Sequence, residues 1–133
     1  MIGRLISRYR IIEKLGEGGM GVVYKAHDTK LDRNVALKFL PHSYTEDQEI
    51  RKRFEREAQA AAALTHPNLI TVYEINEFKG QSYIAMEYVE GKSLLDELKK
   101  GLMPIERAIQ IITQICQGLE KAHQANIVHR DIK

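Results

Sequence analysis

Tryptophan is absent from the 133-residue chain, cysteine occurs once and proline three times. A single thiol, Cys116, can close no disulfide within the chain and build no cysteine metal cluster, which excludes a disulfide scaffold and a zinc ribbon. Long apolar runs are missing too. The longest, residues 58–64, is interrupted by Gln59 and falls far short of the ~20 residues that span a bilayer. The first eight residues hold no sustained apolar stretch, so no secretory leader is expected. Neither sign of charge is in excess: Lys and Arg number 20 against 18 Asp and Glu, a net charge of +2. The clustered basic footprint of a nucleic-acid binder is therefore not expected, and no nucleic-acid partner with it. With one thiol, no leader and no span, the expected setting is the cytoplasm. What remains is ordinary globular composition, 44% hydrophobic and 29% charged, enough for one domain at most.

The pattern changes period along the chain. Residues 9–15 are β-prone and run into a glycine cluster, Gly16-Glu17-Gly18-Gly19-Met20-Gly21. Residues 22–26 resume as a strand rich in branched and aromatic residues, and 35–40 form a third, stopped by Pro41. Phe54, Ala58, Ala61 and Leu64 then recur at helical spacing, predicting a helix over about 46–65 that ends before His66-Pro67-Asn68. Two further strands are predicted over 70–76 and 82–88. Ser93 is placed to cap a short helix over 94–99. Pro104 suits the first turn of a long helix reaching about Ala125. Its apolar stripe is Ile105, Ala108, Ile109, Ile112, Ile115, Cys116, Leu119 and Ala122, with Cys116 on the packed side as an inert small hydrophobe. A strand-like pair, Ile127-Val128, leads into a dense charged cluster at the end.

The glycine cluster admits a plain reading, a hairpin turn that needs positive φ, and a functional one, a loop whose backbone approaches a phosphate and donates free N–H groups. A Walker loop needs Lys and Ser or Thr directly after its last glycine, and Val22-Val23 stand there. A dinucleotide fingerprint needs a helix opening at the glycines, and Val22-Val23-Tyr24 is strand-forming. Strand, glycine loop, strand remains. Lys38 alternates with Ala36 and Leu40 in an apolar strand. A lone strand lysine is ordinarily solvated, but one among apolar neighbours wants an anionic partner. Glu57, within the following helix, is a candidate partner, although by itself it reads as surface charge.

Taken in order, the glycine loop at 16–23, Val35-Ala36-Leu37-Lys38, Glu57, His66-Pro67-Asn68, Tyr83-Ile84-Ala85-Met86-Glu87-Tyr88-Val89 and His129-Arg130-Asp131 resemble the N-terminal half of the kinase domain of a eukaryotic-like protein kinase, most like the bacterial serine/threonine kinases. The resemblance covers nearly the whole chain. It implies an α+β fold: an N-lobe over 9–88 with a five-stranded antiparallel sheet and one long helix, then a hinge and the first two C-lobe helices over 89–133. It implies ATP with Mg²⁺ as cofactor and a protein carrying Ser or Thr hydroxyls as substrate.

Residue by residue, the resemblance sets ATP against Leu15 and the loop Gly16, Glu17, Gly18, Gly19, Met20 and Gly21, the glycines covering the phosphates. Val23 and Ala36 would sandwich the adenine. Lys38 would contact the α- and β-phosphates, held by Glu57. Met86 would guard the back of the pocket, and the backbones of Glu87 and Val89 would hydrogen-bond the adenine edge. Asp131 would be the catalytic aspartate that takes the hydroxyl proton, and Lys133 would contact the γ-phosphate. His129 would be a packing residue and Arg130 a partner of an activation loop. Read as strand residues only, Met86 and Tyr88 are core. The other histidines lack metal-ligand spacing, so no histidine metal site is expected.

Residue 133 precedes the family's catalytic-loop asparagine and Asp-Phe-Gly motif, so the Mg²⁺ ligands are expected beyond it. The chain then reads as an incomplete catalytic domain that transfers phosphate slowly or not at all by itself. The alternative is a non-catalytic module that binds nucleotide or a partner through the lobe alone. The stripe of the last helix is expected to lie open, with self-association as its consequence.

Overall fold

A computed structural model describes the chain apart from Met20, Asp131 and Lys133, and describes Thr45 by its backbone alone. The fold divides into two units, one of residues 1–63 and 71–88, the other of residues 64–70 and 89–133.

The first unit is a sheet with two helices. Strands β1 (Leu5–Ile6), β2 (Tyr9–Gly18), β3 (Gly21–Asp28), β4 (Arg33–Phe39), β5 (Val72–Phe78) and β6 (Gln81–Glu87) stand in the order β1-β2-β3-β4-β6-β5. Every neighbouring pair is antiparallel. Period-two alternation sorts the strands into two faces. One face carries the core: Ile6, Tyr9, Ile11, Ala26, Val35, Leu37, Phe39, Tyr83 and Ala85, with Tyr24, Tyr73 and Phe78 packed against it. Aromatic edges meet faces there, Tyr9 on Tyr83 and Tyr24 on Phe39. The register leaves Val23, Ala36, Lys38, Ile84 and Met86 on the opposite face.

The sheet has six strands where the sequence pattern gives five. The added one, β1, has two residues, too few to show alternation, yet its Ile6 is buried in the core. Helix α1 (His42–Thr45) is likewise too short for a helical period to register. Helix α2 (Gln48–Ala62) is narrower than 46–65. Asp47 sets its start, its carboxylate accepting from the N–H groups of Glu49 and Ile50. Leu64 lies beyond its end.

A buried polar network fastens the far end of the sheet. Asp28 is fully buried and accepts from the N–H groups of Lys30 and Leu31 at 3.0 and 3.1 Å, and from Arg8 Nε at 3.2 Å. Burial works against its charge, but these donors outweigh burial and hold the carboxyl below its ordinary range. Arg8 also reaches Glu74, whose other oxygen accepts from the Tyr9 hydroxyl at 2.8 Å. Burial first, and then that hydrogen bond, push the Tyr9 hydroxyl far up.

The second unit holds the loop of residues 64–70, helix α3 (Leu94–Lys99) and helix α4 (Ile105–Gln124). Ser93 caps α3 as the sequence suggests, in a reciprocal box with Asp96. Pro104 is the N-cap of α4 rather than its first residue. At the other end Asn126 adopts φ 60°, and the Ile127 N–H bonds back to the Ala122 carbonyl at 2.9 Å. Ile127-Val128 forms no strand. Only part of the expected α4 stripe is buried. Gly118 and Ala122 are buried, with Ala108, Ile111 and Leu119 half-buried beside them. Ile105, Ile109, Ile112, Ile115 and Cys116 are exposed, so Cys116 is not the packed residue the stripe suggests.

Candidate functional site

The glycine cluster joins β2 to β3 as a hairpin, with Gly18 paired to Gly21. Its glycines differ in what they are for. At Gly21, φ is +112° and an added Cβ would stand 1.9 Å from the Phe39 carbonyl oxygen, so this glycine lets β3 pass close to β4. At Gly16, Gly18 and Gly19 an added Cβ would meet nothing within 4 Å. Those three are not required by packing, and they leave open backbone for a ligand. β2 bulges between Lys14 and Gly16, with Leu15 as the extra, exposed residue. Glu17 pairs with Lys14, which raises the lysine's hold on its proton.

From this hairpin the register runs straight to Lys38. Gly16 faces Val23, Val23 faces Lys38 and Lys38 faces Ile84, one row across four strands. The next row is Glu13, Lys25, Ala36 and Met86. Cross-strand partners share a face, so Val23, Ala36 and Met86 form an apolar floor flanked by Lys38.

A cavity of about 520 Å³ lies between this face and α2, lined by Lys38, Ile84 and Met86 from the sheet and by Phe54, Glu57 and Ala58 from the helix. Lys38 and Glu57 thus face one space, and among the described residues no ion pair joins them. Other contacts place α2. It packs on β5, and Arg51 in its first turns pairs with Glu77 there and with Glu55 on its own helix. Glu57 is exposed on the other side of the cavity.

At the exit of β6 the backbone is partly committed. The Glu87 N–H donates to the Thr71 carbonyl at 2.8 Å, so that donor is unavailable to a ligand. The Glu87 carboxylate accepts from the Thr71 N–H at 3.1 Å. Tyr88 ends the first unit, and the Lys25 ammonium stands 4.5 Å from the centre of its ring. Lys25 also faces Glu13 at 3.8 Å. Neither Lys25 nor Glu13 is singled out by the sequence motifs; only the strand register would have found them. Val89 opens the second unit and is exposed. Met20, Asp131 and Lys133 lie outside the described residues. Arg130, just before Asp131, has φ 66°, a left-handed conformation that costs a non-glycine residue about 1 kcal/mol or more.

Among the described residues, no group of three or more His, Cys, Asp or Glu side chains is placed to hold a metal. No helix among them is long and apolar enough to cross a membrane.

Comparison with known proteins is consistent with this geometry. Residues 9–133 match the model of the protein kinase domain. Serine/threonine-protein kinase PrkC of Bacillus subtilis is 46% identical over the whole chain, which spans 21% of that protein. A probable serine/threonine-protein kinase of Clostridium acetobutylicum is 47% identical, again over the whole chain and 20% of the relative. The crystal structure of a doubly substituted PknI kinase domain from Mycobacterium tuberculosis superposes with a TM-score of 0.88 at 32% identity, covering all of this chain and 56% of that one. The chain therefore spans about a fifth of the length of the curated relatives it matches.

Proposed function

The chain belongs to the protein kinase family, and from that premise we propose that it is the nucleotide-binding part of a serine/threonine protein kinase, a protein that transfers the γ-phosphoryl group of ATP to a Ser or Thr hydroxyl in the cytoplasm. One observation carries the reading. A single sheet face presents, in adjacent rows, an open glycine hairpin, the cation of Lys38 and the apolar floor of Val23, Ala36 and Met86. That is the order of chemistry along a nucleoside triphosphate: anionic at one end, flat and apolar at the other.

In this reading, backbone N–H groups of the hairpin and the Lys38 ammonium take up phosphate charge. Val23 and Ala36 enclose the base, and the Glu87 carbonyl and Val89 backbone read its edge. Glu57 steadies Lys38 once the two are drawn together across the cavity, at a gain in ordering of the ammonium. Asp131 accepts the proton of the substrate hydroxyl and Lys133 approaches the γ-phosphate. Mg²⁺, which accompanies ATP in this family, would supply neutralisation of charge on the phosphates. The described residues offer it no cluster of ligands, so no step is assigned through it.

The lack of a Lys38–Glu57 ion pair among the described residues favours a second reading, a nucleotide-binding module without turnover. Calorimetric titration of the chain with ATP, paired with a phosphorylation assay on a protein substrate, separates the two. ATP binding that weakens at least about tenfold in Lys38→Met is expected. Turnover that vanishes in the same variant selects the kinase reading; binding without turnover selects the module. Absence of ATP binding overturns both.

A further inference from the structure

The pair formed by Lys25 and Tyr88 has no part in the motifs considered so far. Lys25 lies one residue row beyond Lys38 on the same sheet face, beside Ala36 and on the side away from the glycine hairpin. If phosphates lie at the hairpin, Lys25 stands at the base end. Its ammonium already has two close neighbours. The side chain is 20% exposed, its Nζ sits 4.5 Å above the Tyr88 ring, and Glu13 faces it at 3.8 Å. A lysine so placed cannot serve as a free phosphate ligand. What it does hold is the last residue of the first unit, immediately after the Glu87 carbonyl and before Val89. The Glu87 N–H and carboxylate are already tied to Thr71, so the backbone here is fixed on one side by Thr71 and on the other by the ring under Lys25.

We propose that Lys25 is a positioning residue for nucleobase recognition: by stacking on Tyr88, with Glu13 holding its ammonium in place, it fixes the backbone of residues 87–89 that meets the base. The inference rests on the nucleotide reading above and deepens it. Because the clamp acts at the base end, its loss weakens a nucleotide but spares a ligand that has only phosphates. An ammonium over an aromatic ring is a short-range attraction to the ring's negative face, and a guanidinium serves as well. Removing the charge while keeping the stem isolates it.

The test uses the intact 133-residue chain and four variants, Lys25→Met, Lys25→Arg, Tyr88→Leu and Tyr88→Phe. Affinities for ATP and for inorganic tripolyphosphate are measured side by side. Amide hydrogen exchange over residues 86–89 is followed without ligand. Lys25→Met and Tyr88→Leu should weaken ATP about three- to tenfold and leave tripolyphosphate unchanged, with faster exchange at 87–89. Lys25→Arg and Tyr88→Phe should restore both. The double variant Lys25→Met/Tyr88→Leu should be no worse than either single one, as expected for partners in one contact. Equal weakening of ATP and tripolyphosphate, additive losses, or unchanged exchange in Lys25→Met would each overturn the clamp. A native chain that binds neither ligand defeats the nucleotide reading instead, and the exchange measurement alone then decides whether Lys25 fixes this backbone.

Discussion

At Gly21 the chain has no room for a side chain, whereas at Gly18 it has nothing but room. The two residues look alike in the sequence, and their substitution should separate folding from binding. Gly21→Ala forces β3 off the Phe39 carbonyl and should cost about 3 kcal/mol, visible as a fall in melting temperature. Gly18→Ala should leave the melt nearly unchanged, and any loss should appear in ATP affinity. Asp28 supports a prediction about pH. Its folded pKa is depressed by the donors from Lys30, Leu31 and Arg8. Its contribution is therefore present above the unfolded value of about 3.9 and is lost as pH falls through the lower folded value. Thermal melts from pH 6 to pH 2 should show a stability loss below about pH 4 that is smaller in Asp28→Asn, which begins from a less stable state.

Among the elements, the strands around the glycine cluster were legible because alternation and turn residues act locally. The same holds for the Ser93 cap and for α4, whose apolar residues recur over five turns. The candidate site was legible as a list of residues and not as an arrangement. Lys38 and Glu57 sit on different elements, and where α2 settles depends on its packing against β5 and on the Arg51–Glu77 pair, neither of which the motifs encode. Ile6 and α1 were missed because two or four residues carry no period, and Lys25 because its partner Tyr88 is brought near only by the register. The loop of residues 64–70 shows the reverse case, a motif that the structure explains. Asn68 Nδ2 donates to the Gln114 carbonyl at 2.8 Å, and Gly118 lies so close that an added Cβ would stand 3.0 Å from the Asn68 carbonyl oxygen. Asn68→Ala should cost about 1 kcal/mol and speed amide exchange across residues 64–70, with ATP affinity unchanged.

For the whole molecule, the open side of α4 is expected to govern behaviour in solution. Ile105 is 75% exposed and Ile109 and Ile112 are 60% exposed on one helical face. A contiguous apolar surface of this kind promotes association. Gel filtration over a concentration series should show a rising apparent mass together with binding of an apolar dye. Ile109→Lys with Ile112→Glu should reduce both without lowering the melting temperature. A monodisperse monomer that binds no dye would contradict the expectation.

The two units are not joined by a single linker. The chain passes from one to the other between residues 63 and 64, back between 70 and 71, and again between 88 and 89. A protease cut at the last crossing would release residues 89–133 as a separate polypeptide while residues 64–70, the rest of the same unit, stayed on the other piece. Expression of residues 1–88 alone would not isolate a clean lobe either. It would strand the 64–70 loop away from Gln114 and Gly118, leaving the Asn68 amide to water. Dissection of this protein at its obvious boundary should therefore yield two poorer pieces, and a cut that respects its architecture would have to excise the loop as well.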